Sequence, residues 1–175
     1  ASFEHVGDVD LGGNCPKIIE RTYRVFDLCG NSSTCIQNIQ IDDTELPVLN
    51  CPSDLNIQCD LTEVPPYINY NDFVSQGGSA NDNCGLNNAS FELLSEISNN
   101  QSCPETVIRT YRIADLCGNF NTCEQIITID DITSPIMTCP PNILTDCTAG
   151  DVEPYADYTA FIADGGSAFD NCDID

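Results

Sequence analysis

The sequence predicts an all-β chain made of tandem β-sandwich repeats of 88 residues, each stapled by disulfides and carrying one short helical turn. Three observations lead there: a self-alignment at one fixed offset, twelve cysteines that keep step with it, and short alternating runs bounded by turn residues. A fixed internal period sets the architecture before any single element is read.

Sliding the chain by 88 positions brings "RTYRVFDLCGNSSTC" (21–35) onto "RTYRIADLCGNFNTC" (109–123) and "GGSANDNC" (77–84) onto "GGSAFDNC" (165–172). Without a gap, 38 of the 87 overlapping positions are identical. The cysteines form six pairs at this offset: 15/103, 29/117, 35/123, 51/139, 59/147 and 84/172. An Asp-Asp pair followed by P-x-x-x-C-P marks each passage from one repeat to the next. One complete repeat is therefore expected at 44–131, with 1–43 the back half of a repeat and 132–175 the front half of another. On this reading the 175 residues are a window on a longer polypeptide, and the window itself is a candidate recurring unit.

Within the complete repeat the strands follow from period-two alternation. "LNIQC" puts Leu55, Ile57 and Cys59 on one face. "ASFELLSEI" (89–97) is apolar enough for a central strand. "TVIRTYRIADL" (106–116) sets Val107, Tyr111 and Ile113 against Thr110 and Arg112, and "TCEQIITIDD" (122–131) sets Ile127 and Ile129 against Thr128. Tyr111 early in a long late strand suggests the tyrosine corner of immunoglobulin-like sandwiches. "NDFVSQGG" (71–78) and "TAFIADGG" (159–166) read as a helical turn stopped by glycine.

Composition narrows function. A net charge of −23, opposed only by Lys17, Arg21, Arg24, Arg109 and Arg112, argues against nucleic acid, which requires a basic surface. So many cysteines in a fixed register point to disulfides and an oxidising compartment. Zinc fails on spacing, with no C-x-x-C, and on ligands, with His5 the sole histidine. Without a recurring histidine there is no base for a nucleophilic triad, and acid pairs copied into every unit are poor candidates for a glycosidase; no enzyme is expected. No membrane-inserting segment is visible.

An immunoglobulin-like path prunes the fifteen possible connectivities of six cysteines. It places Cys51, Cys84, Cys117 and Cys123 at the entry end of the repeat and Cys59 and Cys103 at the other. The expected pairs are Cys51–Cys123, Cys59–Cys103 and Cys84–Cys117; the alternative is a Cys117–Cys123 clasp with Cys51–Cys84. By the same rule Cys15, Cys29, Cys35, Cys139, Cys147 and Cys172 have no partner within the chain.

"DDTELPVLNCPSDLNIQC", "GGSANDNCG" and "TYRIADLCGNFNTCEQIITIDD" together resemble the HYR (hyalin repeat) domain, an immunoglobulin-like extracellular module. The added cysteine phrases resemble HYR-like repeats arrayed in very large surface proteins of gliding and marine bacteria, which are typically exported by the type IX system and include proteins similar to gliding adhesins. The resemblance spans the chain and implies an extracellular, structural or adhesive setting; it supplies no catalytic residue.

The same path gathers carboxylates at the entry end: Asp42, Asp43, Asp82, Asn83 and Asp115, with Asp130, Asp131, Asp170 and Asn171 matching at the next junction and Asp27 the corresponding loop residue of the first. Bacterial immunoglobulin-like adhesin repeats resemble this arrangement and hold calcium at domain junctions, and calcium favours six to eight oxygens. Against this stands the plainer reading that Asp and Asn cap turns. Arg24 and Arg112 read as partners of surface carboxylates. Asn31, Asn88 and Asn100 begin N-x-S triplets, acceptors only in a host that glycosylates asparagine.

Two functions of different class follow. The first is a structural stalk or filament segment of a large secreted adhesin, advancing roughly 35–45 Å per repeat and partnered by neighbouring repeats or bundled chains. The second is a recognition module binding glycans or a cell-surface ligand through its loops, where "VGDVDLGGN" (6–14) and "LSEISNNQS" (94–102) differ entirely.

Overall fold

The computed structural model of the chain describes residues 2–146 and 152–172. Cys147 lies outside the described residues. The rest is all-β: β1 Ser2–Asp10, β2 Lys17–Phe26, β3 Ser32–Ile41, β4 Val48–Asn50, β5 Leu55–Ile57, β6 Ser79–Asn81, β7 Leu86–Ser98, β8 Glu105–Asp115, β9 Phe120–Ile129, β10 Ile136–Thr138 and β11 Ser167–Phe169, with helices α1 Tyr70–Ser75 and α2 Tyr158–Ala163. Strands β4 and β6 lie 88 positions from β10 and β11, and α1 lies 88 from α2.

The sheets are β1-β2-β3, β5-β9-β8-β7, and the two-stranded pairs β4-β6 and β10-β11. β7 is thus an edge strand, where a central one was expected. Its burial explains the place: Phe91 is buried while most of the strand stays exposed or half-exposed, so one face cannot support packing on both sides. β8 and β9 take the middle, alternating buried Val107, Arg109, Tyr111 and Ile113 on one and Gln125, Ile127 and Ile129 on the other.

Two compact units are present: Ala1–Leu55 with Pro66–Ile97 and Ile108–Ile126, and Asn56–Pro65 with Ser98–Val107 and Ile127–Asp175. The first holds a core of Leu49, Phe73, Phe91, Tyr111 and Ile113. Phe73 sits at its centre, 4.8 Å from the Phe91 ring and 5.6 Å from the Tyr111 ring. The second buries Ile57, Val107, Ile127 and Ile129.

Helix α1 exists to deliver Phe73. Asn69 caps it by accepting from the Asp72 N–H at 2.9 Å, and Gly77, at φ 98°, ends it in the left-handed region that favours glycine. Gly78 then lies flat on the ring, so that a Cβ there would overlap Phe73. Gly78→Ala should therefore cost about 1–3 kcal/mol, the range for overpacking a filled core, as read from the denaturation midpoint. Gly166 meets Phe161 of α2 in the same way.

Tyr111 is not a tyrosine corner. Its hydroxyl accepts from the backbone N–H of Tyr67, 44 residues upstream, at 3.4 Å, and so clamps the segment before α1. Burial pushes its phenol pKa up. The buried Gln125 holds the same region, donating to the Ser53 carbonyl at 2.8 Å and the Tyr67 hydroxyl at 3.2 Å.

Candidate metal centre and disulfide straps

The acidic cluster begins with the turn after β8. Asp115 Oδ1 accepts from the N–H groups of Cys117 (2.7 Å) and Asn119 (2.9 Å), and Oδ2 from the Asn119 side chain at 2.7 Å. This is the turn-capping role expected of an Asp before "CGN". Asp27 builds the same turn, accepting from Cys29 and Asn31 N–H at 2.8 Å each and from the Asn31 side chain at 2.7 Å. Burial works against ionisation of Asp115, yet the hydrogen bonds from Asn119, Cys117 and Gly118 outweigh it and hold the carboxyl below its usual range. Hydrogen bonds from the Asn31 side chain and then its backbone hold Asp27 low as well.

What sets Asp115 apart from Asp27 is company. Asp43, Asp82 and Asp115 each place one carboxylate oxygen within 4.8 Å of the others'. Asp43 and Asp115 are buried. Asn119 ties them, its side chain also donating to the Asp43 carbonyl at 2.9 Å. Asp82 Oδ2 accepts from the N–H groups of Cys84 and Gly85 at 2.9 Å, and Asp43 Oδ1 accepts from Glu45 N–H at 3.1 Å. Asp82 Oδ1 and Asp43 Oδ2 are buried with no partner among the described residues. Desolvation together with the charges of Asp43 and Asp82 holds the neighbouring Cys84 thiol above its ordinary value.

No side-chain cation is spare to neutralise these oxygens. Lys17 pairs with Asp10, Arg21 with Asp8, Arg24 with Glu4, Arg109 with Glu96 and Arg112 with Glu92. Arg24 and Arg112 are thus partners of carboxylates, as their strand positions implied. Three crowded carboxylates, two of them buried, offer the kind of oxygen donors that could hold a hard divalent cation.

Of the other expected ligands, Asp42 and Asn83 are exposed, and Asp42 is not in the cluster. Asp42 faces out while its neighbour Asp43 is buried. At the following junction Asp131 accepts from Thr133 N–H (2.9 Å) and lies 3.4 Å from the Asn171 side chain. Asp170 accepts from Asn171 N–H at 2.7 Å. Asp130 is only half-buried. Among the described residues these do not converge as Asp43, Asp82 and Asp115 do.

The cysteine pairs are Cys51–Cys123, Cys15–Cys117 and Cys59–Cys172, with Cα–Cα distances of 5.6, 5.1 and 5.2 Å. The first is as expected. The pairs Cys59–Cys103 and Cys84–Cys117 do not form, and Cys15 and Cys172 are not partnerless. Among the described residues Cys84 and Cys103 are free, as are Cys29, Cys35 and Cys139. The physical reason is that closing each 88-residue unit on itself gave its end cysteines no neighbour beyond it. Instead Cys15, in the turn after β1, reaches Cys117 in the turn after β8, and Cys59 reaches Cys172 after β11. Both bonds join cysteines that belong to different copies of the sequence repeat.

The variable segments 6–14 and 94–102 are mostly strand, since β1 runs to Asp10 and β7 to Ser98. Only 11–14 and 99–102 are left as loop, a small surface for recognition.

Comparison with protein-family models, curated proteins and solved structures finds no match. The chain's own geometry defines an all-β, disulfide-linked protein with one largely buried acidic cluster among the described residues. None of its helices among the described residues is long and apolar enough to cross a membrane.

Proposed function

We propose that the chain is a segment of an extracellular, non-catalytic stalk, built from tandem immunoglobulin-like repeats of HYR type within 1–43, 44–131 and 132–175, whose disulfides act as straps against extension. One observation carries this reading. Following covalent bonds through Cys15–Cys117, Cys51–Cys123 and Cys59–Cys172, the shortest route from one terminus to the other runs 1–15, 117–123, 51–59, 172–175. That is roughly one fifth of the 175 residues. The rest of the chain is bypassed and bears no load even if its fold is lost. At ~3.5 Å per extended residue, the oxidised chain can lengthen to about 140 Å including its bridges, against about 610 Å when reduced. Pulling single molecules from their termini should give these two limits; an oxidised chain stretching several hundred ångströms would refute the straps.

Calcium at Asp43, Asp82 and Asp115 belongs to the same reading, as the stiffener of this end of the repeat. A cation bound only by the folded state adds about 2.7 kcal/mol at a hundredfold excess over its Kd. For a chain of this size the melting temperature should rise by roughly 5–10 °C. Melting in calcium against chelator should show that rise, and Asp82→Asn should remove it. Equal melting temperatures in both would leave the three aspartates as turn caps alone.

A further inference from the structure

Two links between the same parts of the chain lie side by side at the acidic cluster. Lys17 opens β2 and pairs with Ile41, which closes β3. Cys15, two residues before Lys17, and Asp43, two residues past Ile41, therefore leave the same end of the β1-β2-β3 sheet. The turn after β8 meets both. Cys15 is bonded to Cys117, with Cα atoms 5.1 Å apart, and Asp43 shares the cluster with Asp82 and Asp115. Cys117 N–H donates to Asp115 at 2.7 Å, so one turn carries both the covalent link and the carboxylate. Like charges this close push apart the segments that hold them. Opposing that push are the Asn119 side chain donating to the Asp43 carbonyl at 2.9 Å, the Leu116 N–H donating to the Gly85 carbonyl at 3.0 Å, and the Cys15–Cys117 bond. Of these only the last is covalent. Asp43 is just 8% exposed, yet its Oδ2 is buried with no partner among the described residues, as is Oδ1 of Asp82.

We infer that the Cys15–Cys117 bond and a calcium ion at Asp43, Asp82 and Asp115 are energetically linked: the redox state of the bond sets the affinity of the site, and the ion protects the bond from reduction. This rests on the calcium reading above and names what regulates that site. The bond acts by preorganisation, holding the carboxylates together before the ion arrives, so that binding no longer bears that cost. With it open, the nearest covalent link is Cys51–Cys123, eight residues along from both Asp43 and Asp115, and a longer tether restrains its ends less. Linkage is reciprocal, so the factor by which the bond raises calcium affinity is the factor by which calcium stabilises the bond. Opening the bond takes two electrons and two protons from a dithiol, which closes to its own disulfide and leaves thiols at Cys15 and Cys117. The joint between the β1-β2-β3 sheet and the turn after β8 then loses its strap and its ion together.

The test is calorimetric titration of the oxidised chain with calcium, the site being the binding that Asp82→Asn removes. Cys15→Ser with Cys117→Ser should weaken that binding about tenfold or more, within the usual range of coupling between two sites. Cys59→Ser with Cys172→Ser removes a bond of similar span, 113 residues against 102, in the other compact unit, and should leave the affinity within about twofold. Equal affinity with and without Cys15–Cys117 would overturn the inference and leave the calcium reading standing; no binding by the oxidised chain would remove both. A second measurement uses the unaltered chain. Alkylation of Cys117 during treatment with dithiothreitol should slow about tenfold in calcium relative to chelator, while Cys59 gains no protection. Equal rates at Cys117 in both conditions would overturn the linkage, and so would equal protection of Cys59 and Cys117, which would mean a general stabilisation of the fold.

Discussion

Phe73→Ala is expected to destabilise the protein by about 4 kcal/mol, within the range for emptying a large aromatic site in a packed core. The size of the effect follows from its position. Phe73 is fully buried and meets four aromatic rings, those of Tyr67, Tyr70, Phe91 and Tyr111. It comes from a helix of only six residues, too short to persist without packing. Truncation therefore leaves a cavity and also removes the reason for the helix to stay folded. The midpoint of chemical denaturation, converted through an unchanged slope, reads the loss. Leu94→Ala, on an exposed stretch of β7, should stay within about 0.5 kcal/mol. A cost below about 1 kcal/mol for Phe73→Ala would mean that this cluster is not the centre of the fold.

Replacing Cys51 and Cys123 together by alanine is expected to cost a similar amount. The bond closes a separation of 72 residues, for which the chain-entropy estimate is about 4 kcal/mol, arising in the unfolded state. Both cysteines also pack against the aromatic core, so their removal costs contact area as well. Thermal melting should fall by roughly 10–15 °C for a chain of this length. Because the entropic part acts on the unfolded chain, the denaturant slope should increase as the unfolded ensemble expands. A melting temperature unchanged within 2–3 °C, a shift of about 1 kcal/mol or less, would show that the strap contributes little here.

The elements were legible where period and punctuation agreed. Alternation around Val107, Tyr111 and Ile113 gave β8, and paired glycines after Phe73 and Phe161 gave the ends of α1 and α2. The acidic cluster was partly legible: the path of the chain brought Asp43, Asp82 and Asp115 together, but the same path also admitted Asp42 and Asn83. Alternation could not separate Asp43 from Asp42, since 42–47 is not strand and Glu45, in step with Asp43, is exposed. Parity marks Arg109 and Gln125 as buried, in step with Tyr111 and Ile127; their polar chemistry disguised them as surface residues. Arg109 is held there by Glu96 at 2.7 Å, and Gln125 by Ser53 and Tyr67. Asn119 gave no signal beyond its place in "CGN", yet its side chain joins two of the three aspartates.

The cysteine pairs were the least legible, for a reason specific to arrays. A periodic sequence fixes which positions are equivalent and is silent on whether a bond falls within a period or across it. Cys59–Cys84 and Cys59–Cys172 cannot be told apart by that equivalence, since Cys84 and Cys172 are one offset apart, and only the geometry, with Cα atoms of Cys59 and Cys172 5.2 Å apart, separates them. The same ambiguity explains why Cys84 and Cys117, assigned to one end of a unit, do not meet: Cys117 is taken by Cys15.

Those crossings create the covalent bypass, and mapping the disulfides of unreduced, folded protein tests them most directly. Peptides joining Cys15 to Cys117 and Cys59 to Cys172, with Cys51 joined to Cys123, are the predicted result. Peptides joining Cys59 to Cys103 and Cys84 to Cys117 would contradict it, because each repeat would then be closed on itself and the shortest covalent route, 1–51 then 123–175 through Cys51–Cys123, would leave more than half of the 175 residues free to extend.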